Sequence, residues 1–168
     1  MPIFGDNSAG GDTFPCTNDR AVLAKFTAPE DGTITAVNVI FASGSSAGAN
    51  FKGLVYAADG GGGIPGTRLG IGGAVAVPGG GGDLQSGGLS VAITNGVDYW
   101  VGAVVSDFQP LFQMDASPSN GSRMEATTYA SPAASWTQAG TTAGQLNAYA
   151  TYDAAGGAAR RMMLMGVG

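Results

Sequence analysis

Glycine constrains the fold of this chain more than any other feature, because it accounts for 30 of the 168 residues. A glycine inside a helix costs about 1 kcal/mol relative to alanine, so long helices are disfavoured. Turns between short strands use glycine well, since it adopts backbone conformations that other residues avoid. The composition therefore predicts an all-β fold.

Short β-prone runs separated by turn residues begin at Arg20 and recur to Tyr152, a rhythm typical of a sandwich or barrel. Between two of them, Asn95-Gly96 favours a type I′ hairpin. We expect a single jelly-roll-like antiparallel β-sandwich over residues 20–153, with an irregular N-terminal arm at 1–19 and a C-terminal tail at 154–168. The predicted strands are residues 21–27, 33–42, 51–57, 74–77, 89–93, 98–105, 111–114, 124–129 and 146–152.

Charge is sparse, at 11% of residues, and the net charge is −5. Nucleic-acid binding needs a basic footprint, so we expect no nucleic-acid partner. No window approaches the ~18 apolar residues of a membrane span, so we also expect no membrane partner. Cys16 is the single cysteine, which excludes an intrachain disulfide and predicts a small buried hydrophobic side chain. So few charges also indicate that other chains cover part of the surface.

Histidine is absent from the chain. Its absence excludes Ser-His-Asp and Cys-His catalysis and histidine-ligated zinc. Residues 44–48 match a nucleophile elbow and residues 61–66 match a dinucleotide fingerprint, but neither lies in the strand-turn-helix setting that such a motif needs. The acidic residues form no recognisable glycosidase pair and no calcium loop. We therefore expect no enzyme activity, no cofactor and no metal site.

Two groups of residues are candidates for binding. The tail combines two arginines with a methionine-rich run, which suits adaptable docking on an apolar groove of a partner; a strap on the protein's own core is the alternative. Among the aromatic residues, we expect Trp136 to be exposed on a loop and one of Tyr99 and Trp100 to be exposed on a strand, as candidate glycan contacts. Anchoring in the core, or anchoring of a loop, is the alternative. The tail candidates are Arg160, Arg161, Met162, Met163, Leu164 and Met165.

The middle of the chain carries a resemblance. It reads LVYAADG at 54–60, IPGTRL at 64–69, LSVAITNG at 89–96 and YWVG at 99–102. This pattern resembles the jelly-roll-type β-sandwich domains of phage virion proteins and of some bacterial surface proteins. In those domains a Y-x-x-D…PG-x-x-L hairpin precedes an L-x-x-G-x-x-Y-W strand.

The resemblance implies a phage virion structural protein, with a capsid decoration or head-fibre subunit as the leading expectation. Its implied partners are other virion proteins, including further copies of the chain. A carbohydrate-binding module or adhesin head, with a cell-surface glycan as ligand, is the alternative. The N-terminal residues show no export signal, so we expect assembly into a virion in the host cytoplasm.

Overall fold

The computed structural model describes residues 1–107, 110–116, 121–137, 140–142 and 144–156, and its regular elements are β-strands. Within these ranges no helix has the length and hydropathy needed to cross a bilayer. The strands are β1 (Ile3–Gly5), β2 (Asp12–Pro15), β3 (Arg20–Thr27), β4 (Gly32–Phe41), β5 (Asn50–Ala57), β6 (Arg68–Ala76), β7 (Gly82–Ile93), β8 (Asp98–Val105), β9 (Leu111–Asp115), β10 (Arg123–Ala126), β11 (Gly140–Thr141), β12 (Gln145–Leu146) and β13 (Ala148–Ala154).

The strands form two antiparallel sheets that pack face to face, which confirms the predicted β-sandwich. One sheet has seven strands in the order β1-β13-β4-β9-β12, with β2 paired to β9 and β7 paired to β4. The other has six strands in the order β11-β10-β3-β8-β5-β6. Apart from the consecutive pairs β5–β6 and β10–β11, the paired strands are not neighbours in sequence, so both sheets depend on long-range pairing.

The core between the sheets is built from alternate residues of the central strands. On β8, for example, Tyr99, Val101, Ala103 and Val105 face the seven-stranded sheet. Cys16 lies in this core with 1% of its surface exposed, and burial raises the pKa of its thiol to about 12. The prediction that Cys16 is a small buried side chain is confirmed.

The two sheets approach each other closely where β6 packs against β7. Gly70 and Gly72 of β6 have no room for a Cβ atom, because side-chain atoms of β7 already occupy that space. Ser86 of β7 is fully buried there; its Oγ accepts a hydrogen bond from the Gly53 amide at 2.9 Å and donates one to the Gly73 carbonyl at 2.7 Å. A single hydroxyl thus joins one sheet to two strands of the other.

The irregular arm predicted for residues 1–19 is wrong. This segment contributes β1, which pairs with β13, and β2, which pairs with β9. Phe4 of β1 is buried and packs edge-on against Tyr152, with ring centroids 5.8 Å apart. Both strands are too short to show a periodic pattern, and their stability comes from strands more than 90 residues away in the chain.

The type I′ hairpin predicted at Asn95-Gly96 is also wrong. The strands on either side, β7 and β8, belong to different sheets, so the turn crosses the end of the sandwich. Gly96 has a φ of +75°, but Asn95 does not have the positive φ that type I′ requires. The Gly96 amide donates instead to the Ala28 carbonyl at 2.8 Å, which holds two loops together at this end.

We predict that Ser86→Ala lowers the free energy of unfolding by about 1–3 kcal/mol, because it leaves a buried amide and a buried carbonyl without their partner. Ser90→Ala, at an exposed position of the same strand, is the matched control and should change stability by less than about 0.5 kcal/mol. Urea unfolding of the three proteins measures both values. Equal midpoints for the two variants would contradict the bridging role.

Candidate functional site

One end of the sandwich brings together four segments from separate parts of the sequence. The connections 28–31, 58–67 and 94–97 meet there, because β3 and β5 end and β4, β6 and β8 begin at this end. The fourth segment is the end of β13, where the Ala155 amide donates to the Asp31 carbonyl at 2.8 Å. We call this region the acidic end.

The acidic end contains a cleft of about 630 Å³. Its walls come from both sheets: residues 57–59 and Leu69 on the β5–β6 side, and Ala92 and residues 96–99 on the β7–β8 side. This volume lies within the range of about 300–1,000 Å³ that is usual for ligand pockets. Alanine, leucine and valine side chains form most of the walls, and two carboxylates lie at the rim.

The two rim carboxylates are held in place by hydrogen bonds. Asp59 accepts from the amide of Thr67 at 2.8 Å and from its hydroxyl at 3.0 Å, and these bonds lower the pKa of Asp59. Asp98 accepts from the Thr27 hydroxyl at 2.6 Å, and this bond lowers the pKa of Asp98, with Lys25 at 3.2 Å assisting. Both carboxylates therefore stay mostly ionised when the pH falls to the ordinary pKa of an aspartate, 3.8.

Further acidic residues lie at the same end of the sandwich, outside the cleft lining. Glu30, Asp31 and Asp153 are exposed at the same end, beside the last residues of β13. With the two rim carboxylates they make five of the 12 acidic residues of the chain. The acidic end is therefore suited to a partner that carries positive charge.

The exposed apolar side chains of the described residues are concentrated at this end as well. Leu69 and Val97 both line the cleft and are 42% and 43% exposed. The other exposed large apolar residues, Met1 and Ile3, lie beside β13 near its end, where the Pro2 carbonyl accepts from the Tyr152 amide at 3.1 Å. The exposed large apolar side chains of the described residues therefore lie toward one end of the sandwich.

The aromatic residues predicted as glycan contacts are not exposed. Tyr99, Trp100 and Trp136 retain 6%, 2% and 5% of their surface, so no ring face is free for a sugar to stack on. The expectation that Trp136 lies on an exposed loop is wrong, and so is the expectation that one of Tyr99 and Trp100 is exposed. The alternative, anchoring in the core, is what the structure has.

The burial of the two tryptophans comes from an outer cover, which we define as residues 127–137. It lies across the outer face of the six-stranded sheet, where Trp136 packs edge-on against Tyr56 with ring centroids 5.6 Å apart. The Tyr56 hydroxyl donates to the Ala133 carbonyl at 2.7 Å, and Lys52 donates to the Tyr129 carbonyl at 3.1 Å. This sheet is therefore buried on both faces, and its aromatic residues are structural.

The tail residues Arg160, Arg161, Met162, Met163, Leu164 and Met165 lie outside the described residues. Among the residues that are described, no group of three or more cysteine, aspartate and glutamate side chains is arranged to hold a metal ion. The acidic end has no signature in the sequence, because its cleft is formed by residues that are up to 42 positions apart. Nothing in the sequence around Leu69 or Val97 distinguishes these exposed apolar residues from the buried ones of neighbouring strands.

No family model, curated protein or solved structure matches this chain.

We predict that Thr27→Val raises the pKa of Asp98 toward its ordinary value of 3.8, because the largest contribution that lowers it is the Thr27 hydrogen bond. The folded pKa lies below the unfolded one, so Asp98 stabilises the fold above pH 3.8 and this contribution is lost as the pH falls through the folded pKa. An NMR titration of the Asp98 side-chain carbon measures the change. Thr13→Val, at an exposed threonine on β2, is the control and should leave the Asp98 titration unchanged.

Proposed function

We propose that this chain is a structural protein of a phage virion, a capsid decoration or head-fibre subunit, which binds a neighbouring virion protein through its acidic end. The observation that carries the proposal is the clustering of exposed apolar side chains and carboxylates around one cleft. Apolar walls supply binding energy, and a rim of fixed charge selects partners of opposite charge.

The low overall charge supports a subunit whose surface is shared with other chains. Only 11% of residues are charged, against about 25% in an average soluble domain. The sequence resemblance to phage virion domains points to the same class, and a jelly-roll topology is part of this proposal. The tail, with two arginines followed by apolar residues, has the composition of a segment that docks on an acidic, apolar surface.

The carbohydrate-binding alternative has less support. Its candidate rings are all buried, and a sugar platform needs at least one aromatic face open to solvent. The cleft at the acidic end is large enough for a sugar, but the aromatic residue in its lining, Tyr99, is only 6% exposed.

We predict that Leu69→Asp/Val97→Asp weakens binding to the virion at least about tenfold, because it places two further charges on the apolar walls, a loss of about 1.4 kcal/mol. The assay uses particles of the encoding phage from which the gene has been deleted, and measures the purified protein that sediments with them. Ser43→Asp/Ala47→Asp adds the same charge at exposed positions of the opposite end and should bind like the unchanged protein.

Two results would contradict the proposed function. The first is a wild-type chain that is missing from purified virions and does not bind the deleted particles. The second is a cleft variant that folds normally, as judged by its thermal unfolding, and binds as well as the opposite-end control.

A further inference from the structure

We propose that, in the isolated chain, the cleft at the acidic end is occupied by residues 160–165 of the same chain. This inference rests on the surface used in the proposed function, but it concerns what covers that surface before a neighbour binds. Three features support it: the last described residues lie beside the cleft, the charges of the two parts are opposite, and both parts are apolar.

The last described residues lie beside the cleft. The Ala155 amide is bonded to the Asp31 carbonyl, and the Asp31 carboxylate accepts from the Asn95 amide at 2.7 Å. Asn95 immediately precedes Gly96 and Val97 on the cleft rim. Ala155 is thus connected to Asn95 through a single intervening residue, Asp31. Three residues, 157–159, can span at most about 10 Å. Arg160 is therefore the first residue placed to reach the rim.

The charges of the two parts are complementary. Residues 1–156 contain five basic and 12 acidic side chains, whereas residues 157–168 contain two arginines and no acid. Asp31, Asp59 and Asp98 surround the approach to the cleft, and the guanidinium groups of Arg160 and Arg161 suit carboxylate partners. Lys25 already pairs with one oxygen of Asp98, so we expect Asp31 and Asp59 to take the larger share.

The apolar parts match as well. The residues after Arg161 are Met162, Met163, Leu164 and Met165, and the walls they would contact are the side chains of Leu69 and Val97. Unbranched methionine side chains adapt to irregular apolar surfaces. In the sequence the two arginines come before the methionines, so the arginines would reach the rim first and the methionines would enter between the walls.

A second copy of the chain could supply the same segment, but the same chain has the advantage. A short connection gives the segment an effective concentration in the millimolar range at its own cleft. A purified protein at micromolar concentration cannot compete with that. Exchange between two copies that face each other at their acidic ends would use identical contacts and becomes an outcome of the test.

The experiment is disulfide trapping in the full-length chain. We predict that Val97→Cys/Met163→Cys forms an intramolecular disulfide at least about tenfold faster than Ala47→Cys/Met163→Cys, whose partner cysteine lies at the opposite end. Leu69→Cys/Met163→Cys repeats the measurement from the other wall. Non-reducing gels separate intramolecular from intermolecular bonds, and the buried native Cys16 does not compete at neutral pH.

Adding Arg160→Ala/Arg161→Ala to the Val97 variant should slow disulfide formation several-fold, and raising the salt concentration should do the same to the variant that keeps its arginines. Three results would overturn the inference: equal rates at the two ends, no effect of the arginines, or disulfides found only between two chains.

Particle binding by the unchanged protein, measured separately, tells the two proposals apart. Binding to particles without trapping overturns the intramolecular docking alone, and trapping without binding overturns the virion function alone.

Discussion

The close approach of the two sheets at β6 and β7 is the constraint on which the rest of the structure depends. Glycines at positions 70 and 72 let the β6 backbone pass against β7, and Ser86 satisfies the backbone groups that this approach buries. A Cβ atom on either glycine would push the sheets apart, and an apolar residue at 86 would leave the Gly53 amide unpaired. The high glycine content is therefore required by packing here as well as by turns.

This closure also limits where apolar surface stays exposed. The six-stranded sheet packs against the other sheet on its inner face and carries the outer cover on its other face, so its aromatic residues are all committed to the core. Apolar surface remains accessible where the strands end. The acidic end is such a place, since residues of β5, β6, β7 and β8 and of the connections between them line a cleft there.

The carboxylates of the acidic end favour contact with positively charged groups. Hydrogen bonds from Thr67 and Thr27 keep Asp59 and Asp98 ionised and fixed, so little ordering is needed when a basic group arrives. The last described residues lie at the same end, where the Ala155 amide donates to the Asp31 carbonyl. The sequence that follows them contains Arg160 and Arg161 and no acidic residue, so its charge is opposite to that of the acidic end.

Local composition alone determined the fold class and the main strands. The predicted strand at 98–105 has the same bounds as β8, and the burial of Cys16 follows from its chemistry. Glycine disfavours helix, and alternating apolar residues favour strands, wherever they occur in a chain. Roles that depend on one residue's own chemistry were therefore predictable.

Only the tertiary structure decided which residues meet. The strands β1 and β2 exist because β13 and β9 pair with them, and Trp136 is buried because an apparently loop-like segment crosses a sheet. The cleft likewise joins residue 57 to residue 99 through strand pairing that no short stretch of sequence encodes. The physical reason is that burial and proximity depend on long-range contacts, whereas the sequence pattern reports only a residue's neighbours along the chain.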